Sequence, residues 1–368
     1  MGIRRTSSMK SMTSLNSYLK QVAASMLFWS ICLGFFAIFR YLGIDRIPNI
    51  EVNGSISSLV LSNVIAMSVL GCVLGLVYAT IDYFLDEHIS KNLSLGAGLI
   101  SKTIIYFIVT IGLLRLAQII AQRKGMELNF EDGWLWWSKD ERFIAILLYI
   151  MLCSFVFFLL KIALERFGKG VFVKILLGRY RTHKEEKRIF MFLDLKDSTS
   201  IAERLGHLKY SQFIQDCFHD LNRIVFKYEA EIYQYVGDEA VLTWTYAKGV
   251  MNNNCVELFF GFEQERQSRR DYYIEKYGVY PEFKAGLHGG ALMVAEVGFV
   301  KKELAYHGDV INTSARIQAQ CNNYNAALLI SERLIEDINT EGHATSNFLG
   351  SVFLKGKKKE VKIHAVIP

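Results

Sequence analysis

Long uncharged stretches in the first 164 residues set the strongest constraint on how this chain can fold. Residues 21–39, 52–81 and 143–160 contain no Asp, Glu, Lys or Arg. A helix needs about 20 mainly apolar residues to cross a bilayer, and these stretches approach or exceed that length. A fourth stretch, 97–121, is apolar apart from Lys102 and Arg115. We therefore predict an α-helical membrane domain of four transmembrane helices within residues 21–164.

The composition supports a membrane half joined to a soluble half. Hydrophobic residues make up 51% of the 368 residues and only three prolines occur, which excludes a disordered chain. The mean hydropathy of +0.21 is high for a chain in which 21% of the residues are charged. The six cysteines form no Cys-x-x-Cys pair, which argues against a disulfide scaffold or a thiolate zinc site and favours free thiols.

Basic residues predict the orientation of the membrane domain. Lys and Arg are clearly more frequent near the helix ends on the side of the two termini than on the opposite side. Because cytoplasmic loops carry the excess of Lys and Arg, both termini are expected in the cytoplasm, as four spans require. The predicted order is a cytoplasmic segment 1–20, the membrane domain 21–164, a connector helix 165–187 and a soluble domain 188–368. We expect a multi-pass protein of the inner cell membrane, with the lipid bilayer as a partner.

Polar residues of the membrane half leave its role open. Arg115 is either a functional intramembrane charge or a side chain that extends to the interface from near a helix end, and the second interpretation is favoured. Asp82 and the two acidic residues after it are expected to mark the end of the second helix. The outer loop is expected to be anchored at the headgroup layer by Trp134, Trp136 and Trp137. The four helices either bind an unknown ligand or lipid, or only anchor and dimerise the protein.

The connector, residues 165–187, carries apolar side chains at helical spacing between many basic ones. Two interpretations remain open for it. It is either a helix on an anionic inner leaflet, or a helix that pairs with its equivalent in a second chain and passes a signal between domains.

From residue 188 onward, strands and helices alternate. A short apolar strand over 188–194 is followed by a helical pattern over 200–228 and by a hairpin over 231–244 with Gly237 and Asp238 at its turn. No Rossmann or Walker glycine pattern occurs. The prediction for residues 188–368 is an α+β domain with a sheet covered by helices.

Two acidic residues point to metal chemistry. Asp194 ends the first strand of the soluble domain, and Asp238 lies on the hairpin turn. A carboxylate at a strand end can hold a hard divalent cation while the amides of the following loop, Leu195 to Thr199, wrap phosphates. A second carboxylate on a neighbouring hairpin would complete a two-metal clamp, although a single Gly-Asp pair is ordinarily just a turn.

Taken together, five motifs resemble the class III nucleotidyl cyclases, the adenylate and guanylate cyclase family. In the family's order they are Phe192 to Thr199 as the first metal motif, Tyr235 to Glu239 as the second, Phe283 to Gly290 as the central strand, His307 to Ile317 as the Asn/Arg helix, and Leu354 to Lys357 as the strand that delivers a lysine. The family's usual Gly-Phe pair in the first motif is replaced by Asp197 and Ser198. The resemblance covers about half of the chain.

The resemblance implies a reaction and roles for named residues. A ribose 3′-hydroxyl attacks the α-phosphate of a nucleoside triphosphate, and two divalent cations, Mg²⁺ or Mn²⁺, bind Asp194, Asp238 and the Leu195 carbonyl. The phosphates lie on the loop formed by Lys196, Asp197, Ser198 and Thr199. Asn312 orients the ribose, Arg316 stabilises the α-phosphate and Lys355 neutralises the triphosphate. Metal aspartates and the Asn/Arg pair come from different subunits in this family, so a homodimer is implied.

The residues expected to select the base depart from the family. Gln234 stands where adenylate-selective members usually have Lys, and Ala305 stands where Asp or Thr is usual. Gln can donate and accept, whereas the Ala side chain offers no hydrogen bond, with Tyr306 and His307 as neighbours that could assist. ATP is the favoured substrate; GTP or a pyrimidine triphosphate remains open.

Other classes of function fit less well. A diguanylate cyclase would need a Gly-Gly-Asp/Glu-Glu-Phe hairpin, which is absent. A membrane receptor whose cyclase-like domain only binds nucleotide remains an alternative, although all four metal and Asn/Arg positions are present. The basic residues flank membrane helices, so no nucleic-acid partner is expected.

Overall fold

The computed structural model describes residues 3–41, 56–88, 95–123, 141–167, 169–338, 345–353 and 360–367. Contacts divide the chain into two units, Met1–Arg166 and Phe167–Pro368, and each is described by itself. The predicted tryptophan anchor and Lys355 lie outside the described residues.

Four long helices form the described part of the first unit: α1 (Ile3–Tyr41), α2 (Ile56–His88), α3 (Leu95–Arg123) and α4 (Glu141–Phe167). Each contains a segment long and apolar enough to span a membrane, namely Tyr18–Arg40, Val60–Leu85, Gly96–Leu113 and Ile144–Leu164. The prediction of four membrane helices is confirmed.

Helices α1 and α2 pack closely because two glycines face α1. A Cβ atom at Gly71 would lie 2.3 Å from the Trp29 carbonyl oxygen, and one at Gly75 would lie 2.6 Å from the Cα of Met26. Small residues four positions apart commonly allow membrane helices to approach each other in this way. Trp29 is fully buried beside them and packs edge-on against the ring of Tyr78.

Charged side chains from three helices meet inside the first unit. The Asp82 carboxylate of α2 lies 3.5 Å from Lys102 Nζ of α3 and 3.8 Å from Lys161 Nζ of α4. Only 4% of the Asp82 side chain is exposed. The expectation that acidic residues mark the end of the second helix holds for Asp86 and Glu87, which lie in the last turn of α2, but is wrong for Asp82, which lies within the helix and whose carboxylate contacts lysines.

The predicted connector helix 165–187 differs from the structure: α4 ends at Phe167, a short helix α5 covers Lys169–Leu176, and the first strand of the second unit already starts at Lys184. Tyr180 is buried and donates a hydrogen bond from its hydroxyl to Glu186. Glu186 also binds the buried Arg188 guanidinium, which reaches Glu231 as well. This network is enclosed, so the chain entering the second unit is fixed to its first strand.

The second unit contains eight described strands: β1 (Lys184–Leu195), β2 (Glu231–Val236), β3 (Glu239–Thr245), β4 (Phe283–Val297), β5 (Glu303–His307), β6 (Leu328–Ser331), β7 (Thr345–Val352) and β8 (Val361–Ile367). Its described α-helices are α6 (Ser198–Val225), α7 (Tyr246–Val250), α8 (Asn254–Ser268), α9 (Arg270–Tyr277), α10 (Asp309–Ala319) and α11 (Glu332–Ile335). Short 3₁₀ turns, Phe226–Tyr228 and Met251–Asn253, join some of them.

These strands form one mixed sheet in the order β2-β3-β1-β4-β6-β8-β7, with β5 paired to β4. Among the described pairs, β4 and β6 run parallel and the others antiparallel. β1 is longer than the predicted strand because Lys184 to Lys187 also pair with β4. Buried side chains of α6, α8 and α9 cover one face, including Phe213, Phe259 and Tyr273. The predicted α+β fold with a helix-covered sheet is confirmed.

Candidate active site

The candidate site begins at the carboxyl end of β1, a strand in the interior of the sheet. Five successive residues before Asp194 are buried, from Ile189 to Leu193, which fixes the strand between its neighbours. Asp194 is the first side chain of this run that reaches solvent, with 24% of its side chain exposed. The buried residues of β1 thus hold the Asp194 carboxylate at a defined position at the end of the strand.

The Asp194 carboxylate has two partners in its own chain. Gln318 donates from Nε2 to Oδ2 at 3.0 Å, and the Lys284 ammonium lies 3.3 Å from the same oxygen. Burial raises the pKa of Asp194; the Lys284 charge opposes this shift and the nearby Asp238 adds to it. Sequence reasoning missed both partners, although Lys284 stands opposite Asp194 on β4.

The β2–β3 hairpin brings further acids to this strand end. Gly237 opens the two-residue turn with φ 63°, a conformation that glycine adopts without crowding, and Asp238 follows it. Pairing of β3 with β1 then sets Glu239 directly opposite Asp194. Burial, together with the charges of Asp194 and Asp238, raises the pKa of Glu239 to about 7. The sequence analysis did not identify Glu239 as a site residue. Its position directly after Asp238 was the feature that could have indicated it.

These donors fit hard divalent cations. Carboxylate and carbonyl oxygens are the ligands that Mg²⁺ and Mn²⁺ prefer, and Asp194, Asp238 and the Leu195 carbonyl offer only oxygen. Burial is the main reason that the pKa values of Asp194 and Glu239 are raised, and neighbouring carboxylates add to both shifts, so a bound cation would favour the ionised forms. Within the described residues, no group of three or more His, Cys, Asp or Glu side chains is arranged to hold a metal ion, so the carbonyl and a bound phosphate would have to complete the set.

The loop after Asp194 turns sharply into α6. Asp197 adopts φ 55°, the left-handed conformation, at the position where the family usually has glycine. The Lys196 amide donates to the Glu282 carbonyl at 2.8 Å, and its ammonium lies 3.2 Å from the Glu282 carboxylate. Ser198 and Thr199 form the first turn of α6, which is interrupted by a kink at Gly206 (φ 71°, ψ 164°), and the N-terminal amides of its first segment favour anions.

An open pocket of about 400 Å³ borders this loop on the side of Arg204 and Tyr280. Lys196 and Asp197 contribute to its wall, whereas neither Asp194 nor Asp238 does. The pocket is therefore separate from the carboxylate cluster.

Helix α10 presents two different faces. Its inner face, including Thr313, Ile317 and Gln318, is buried against the sheet. A Cβ at Gly286 of β4 would lie 2.2 Å from the backbone nitrogen of Gln318. The close packing of α10 on β4 therefore requires glycine at position 286. Asn312 is exposed and Arg316 half-buried on the outer face. Within the described part of the chain, no hydrogen bond or ion pair joins Asn312 or Arg316 to Asp194 or Asp238.

The predicted base-selecting residues lie on two strands. Gln234 is exposed on β2, directly after a bulge, and stands opposite Val241. Ala305 is half-buried on β5 opposite Ala295. Tyr306 is buried and packs edge-on against the rings of Phe190 and Tyr233, whereas His307 is exposed.

Known proteins share this architecture. Residues 181–367 match a family model described as the adenylate and guanylate cyclase catalytic domain. The chain is 31% identical over 269 residues to Adenylate cyclase 2 of Rhizobium meliloti (strain 1021), covering 73% of this chain and 72% of that protein. It is 20% identical over 212 residues to an adenylate cyclase of Anabaena cylindrica, covering 55% and 42% of the two chains.

A solved structure of a bacterial light-regulated adenylyl cyclase superimposes with a TM-score of 0.50 at 16% identity. The superposition covers 58% of this chain and 62% of that chain. At this identity the similarity concerns the fold alone.

Proposed function

The chain belongs to the adenylate and guanylate cyclase family, and we propose that it is a membrane-bound adenylate cyclase that converts ATP to 3′,5′-cyclic AMP and pyrophosphate. The convergence of Asp194, Asp238 and the loop 195–199 at one end of the sheet carries this proposal. The 31% identity to Adenylate cyclase 2 of Rhizobium meliloti supports the choice of ATP. The four apolar helices support a multi-pass location. The excess of Lys and Arg near the helix ends on the side of the termini supports a cytoplasmic catalytic half.

The oxygen donors at the strand end would hold the cations of the reaction. Asp194, Asp238 and the Leu195 carbonyl are the proposed ligands. Two bound divalent cations, Mg²⁺ or Mn²⁺, would neutralise the triphosphate and lower the pKa of the ribose 3′-hydroxyl. The 3′-oxygen forms a bond to the α-phosphorus, the bond to pyrophosphate breaks, and the hydroxyl proton leaves to solvent.

The remaining work is positioning and charge stabilisation. Because the Lys196 amide is already bonded to Glu282, the amides of Asp197, Ser198 and Thr199 are the proposed phosphate donors of the loop. Asn312 would orient the ribose and Arg316 would stabilise charge on the α-phosphate. Lys355 is proposed to bind the triphosphate tail.

The proposal includes a homodimer, which the two faces of α10 support. Asn312 and Arg316 lie on the outer face, away from the core of their own chain. They would enter the site formed by the carboxylates of a second copy, which gives two equivalent sites per dimer. A ligand or lipid that changes how two connectors pair would alter the alignment of these half-sites.

Two residues expected to contact the base bear on the choice of substrate. Gln234 is exposed and can hydrogen-bond to adenine, while the Ala305 side chain cannot contribute. This pair departs from the usual Lys and Asp, so GTP or a pyrimidine triphosphate is the second candidate substrate.

The test is to offer ATP, GTP, CTP and UTP separately to membranes carrying the full chain, with Mg²⁺ or Mn²⁺, and to identify cyclic products by mass spectrometry. Cyclic AMP that disappears in Asp194→Ala supports the proposal. Another cyclic nucleotide would keep the mechanism and replace the substrate. No product from any triphosphate, from a folded dimer, would favour a receptor that only binds nucleotide.

A further inference from the structure

One side chain outside the family motifs named above touches the proposed metal ligand Asp194. Gln318 lies on the inner face of α10, and only 7% of the residue is exposed. Because an ionised carboxylate can only accept, the amide nitrogen faces it and donates to Oδ2 at 3.0 Å. The Lys284 ammonium approaches the same oxygen at 3.3 Å.

Both contacts fall on one oxygen of the carboxylate. Within the described part of the chain, no hydrogen bond is directed at Oδ1. A donor held rigidly on one carboxylate oxygen fixes the rotation of the group and presents the other oxygen to a ligand. The Gln318 backbone packs against Gly286 at a distance that leaves no room for a Cβ, and the residue is buried.

We propose that Gln318 is a positioning residue that orients Asp194 of its own chain for divalent-cation binding. The inference rests on the proposed function and deepens it. It assigns the inner face of α10 to the metal site of the same chain, whereas Asn312 and Arg316 on the outer face serve the site shared with the second copy. A purely structural role in helix packing would affect both sites alike.

Gln318→Met removes the amide and keeps the length of the side chain. Loss of such an outer contact typically weakens metal affinity about 10–100-fold. Gln320→Met is the matched control, since Gln320 lies near the end of the same helix and contacts Asn323 rather than the site. Mn²⁺ binding to the full chain in detergent, followed by electron paramagnetic resonance with a non-cyclisable ATP analogue present, should weaken in Gln318→Met alone. Equal Mn²⁺ affinity in the two variants would overturn the proposal.

Mixed dimers separate the two faces of the helix. Co-expressing an Asp194→Ala chain with an Arg316→Ala chain leaves one live site, which uses Asp194 of the Arg316→Ala chain. Gln318→Met in that same chain should raise the half-saturating Mg²⁺ concentration about 10–100-fold. In the Asp194→Ala chain it should leave this concentration unchanged.

Equal shifts in both placements would show that helix packing, not carboxylate orientation, explains the effect, and would overturn the inference. An inactive mixed dimer without the Gln318 change would instead overturn the two-chain site on which the inference rests. The two failures are therefore distinguishable.

Discussion

Asp82 in the membrane half and Asp194 in the catalytic half are both largely enclosed carboxylates, but their surroundings are opposite. Asp82 lies within 4 Å of two lysines from two other helices. Asp194 has one lysine and one amide on a single oxygen, with Asp238 and Glu239 nearby. A carboxylate enclosed by cations connects helices, whereas one that shares its environment with other acids and keeps an open side is prepared to receive a cation.

The largest effect is expected from Asp194→Asn. Loss of the metal ligand should lower the cyclisation rate about a thousandfold, equivalent to about 4 kcal/mol of transition-state stabilisation. Folding should not suffer, because burial already raises the pKa of Asp194 and so disfavours its charged form in the folded chain. Product assays and thermal melting of the same preparation test both statements. A variant that loses activity and melts many degrees lower would place Asp194 with Asp82 as a structural residue.

Asp82→Asn should show the reverse pattern. It removes the carboxylate from the buried Lys102 and the half-buried Lys161, and breaking a buried ion pair in this way costs about 3–5 kcal/mol. We expect a large drop in melting temperature in detergent, measured by tryptophan fluorescence. Replacing Lys102 and Lys161 with Met in the same chain should recover part of that loss. An unchanged melting temperature in the single variant would contradict the role assigned to this ion pair.

Asp216→Asn sharpens the comparison within the catalytic half. Burial tends to raise the pKa of Asp216, but hydrogen bonds from Tyr277, Tyr272 and Lys276 outweigh it and hold the pKa below its ordinary value. The ionised Asp216 carboxylate therefore stabilises the folded chain fully above the ordinary carboxyl pKa. This stabilisation disappears as the pH falls through the lowered pKa of Asp216.

We expect Asp216→Asn to lose about 1–3 kcal/mol at pH 7, with a smaller deficit below about pH 4. Melting curves at pH 7 and below about pH 4 measure this loss of stability, with Asp271→Asn, at an exposed position, as the control. A deficit that does not depend on pH would exclude the charged form as the source of stability.

The smallest change in stability is expected at Asp197, which has a left-handed backbone conformation. Glycine adopts φ 55° without a Cβ, so Asp197→Gly should stabilise the chain by about 0.5–1 kcal/mol. Chemical unfolding detects this change, and Ser200→Gly inside α6 should destabilise instead. A destabilised Asp197→Gly chain would show that the aspartate side chain contributes more than its backbone costs.

Sequence patterns predicted the parts of the fold that depend on neighbouring residues. Three uncharged runs and one apolar run with two basic residues predicted the four helices, and alternating apolar residues with a Gly-Asp turn predicted the β2–β3 hairpin. The pairing of Lys102 and Lys161 with Asp82 could not be predicted, because it depends on how three separate helices rotate and pack. The carboxylate was consequently assigned to a helix end.

In the candidate site, too, some residues were predictable from the local sequence and others only from the packing of distant elements. Asp194 and Asp238 were recognisable from strand ends and motif order, and their roles remain predictions, as does that of Lys355. Gln318 is 124 positions from Asp194 and belongs to no motif that names it, so only the packing of α10 on the sheet brings the two together. Glu239 was adjacent to a named residue, but its raised pKa arises from burial and from the charges of Asp194, opposite it on β1, and Asp238, which only the folded sheet determines.

The two ends of β1 have different neighbours, and this has a mechanical consequence. The strand starts four residues after the buried Tyr180, where the connector is fixed, and it ends at the carboxylate cluster. Twelve extended residues span about 40 Å at ~3.3 Å each and stretch very little. Hydrogen bonds to β3 and β4 on both sides prevent the strand from sliding alone. A displacement of the connector is therefore expected to move the sheet as a whole, because β1 joins the chain entry to the proposed cation ligands through an extended strand.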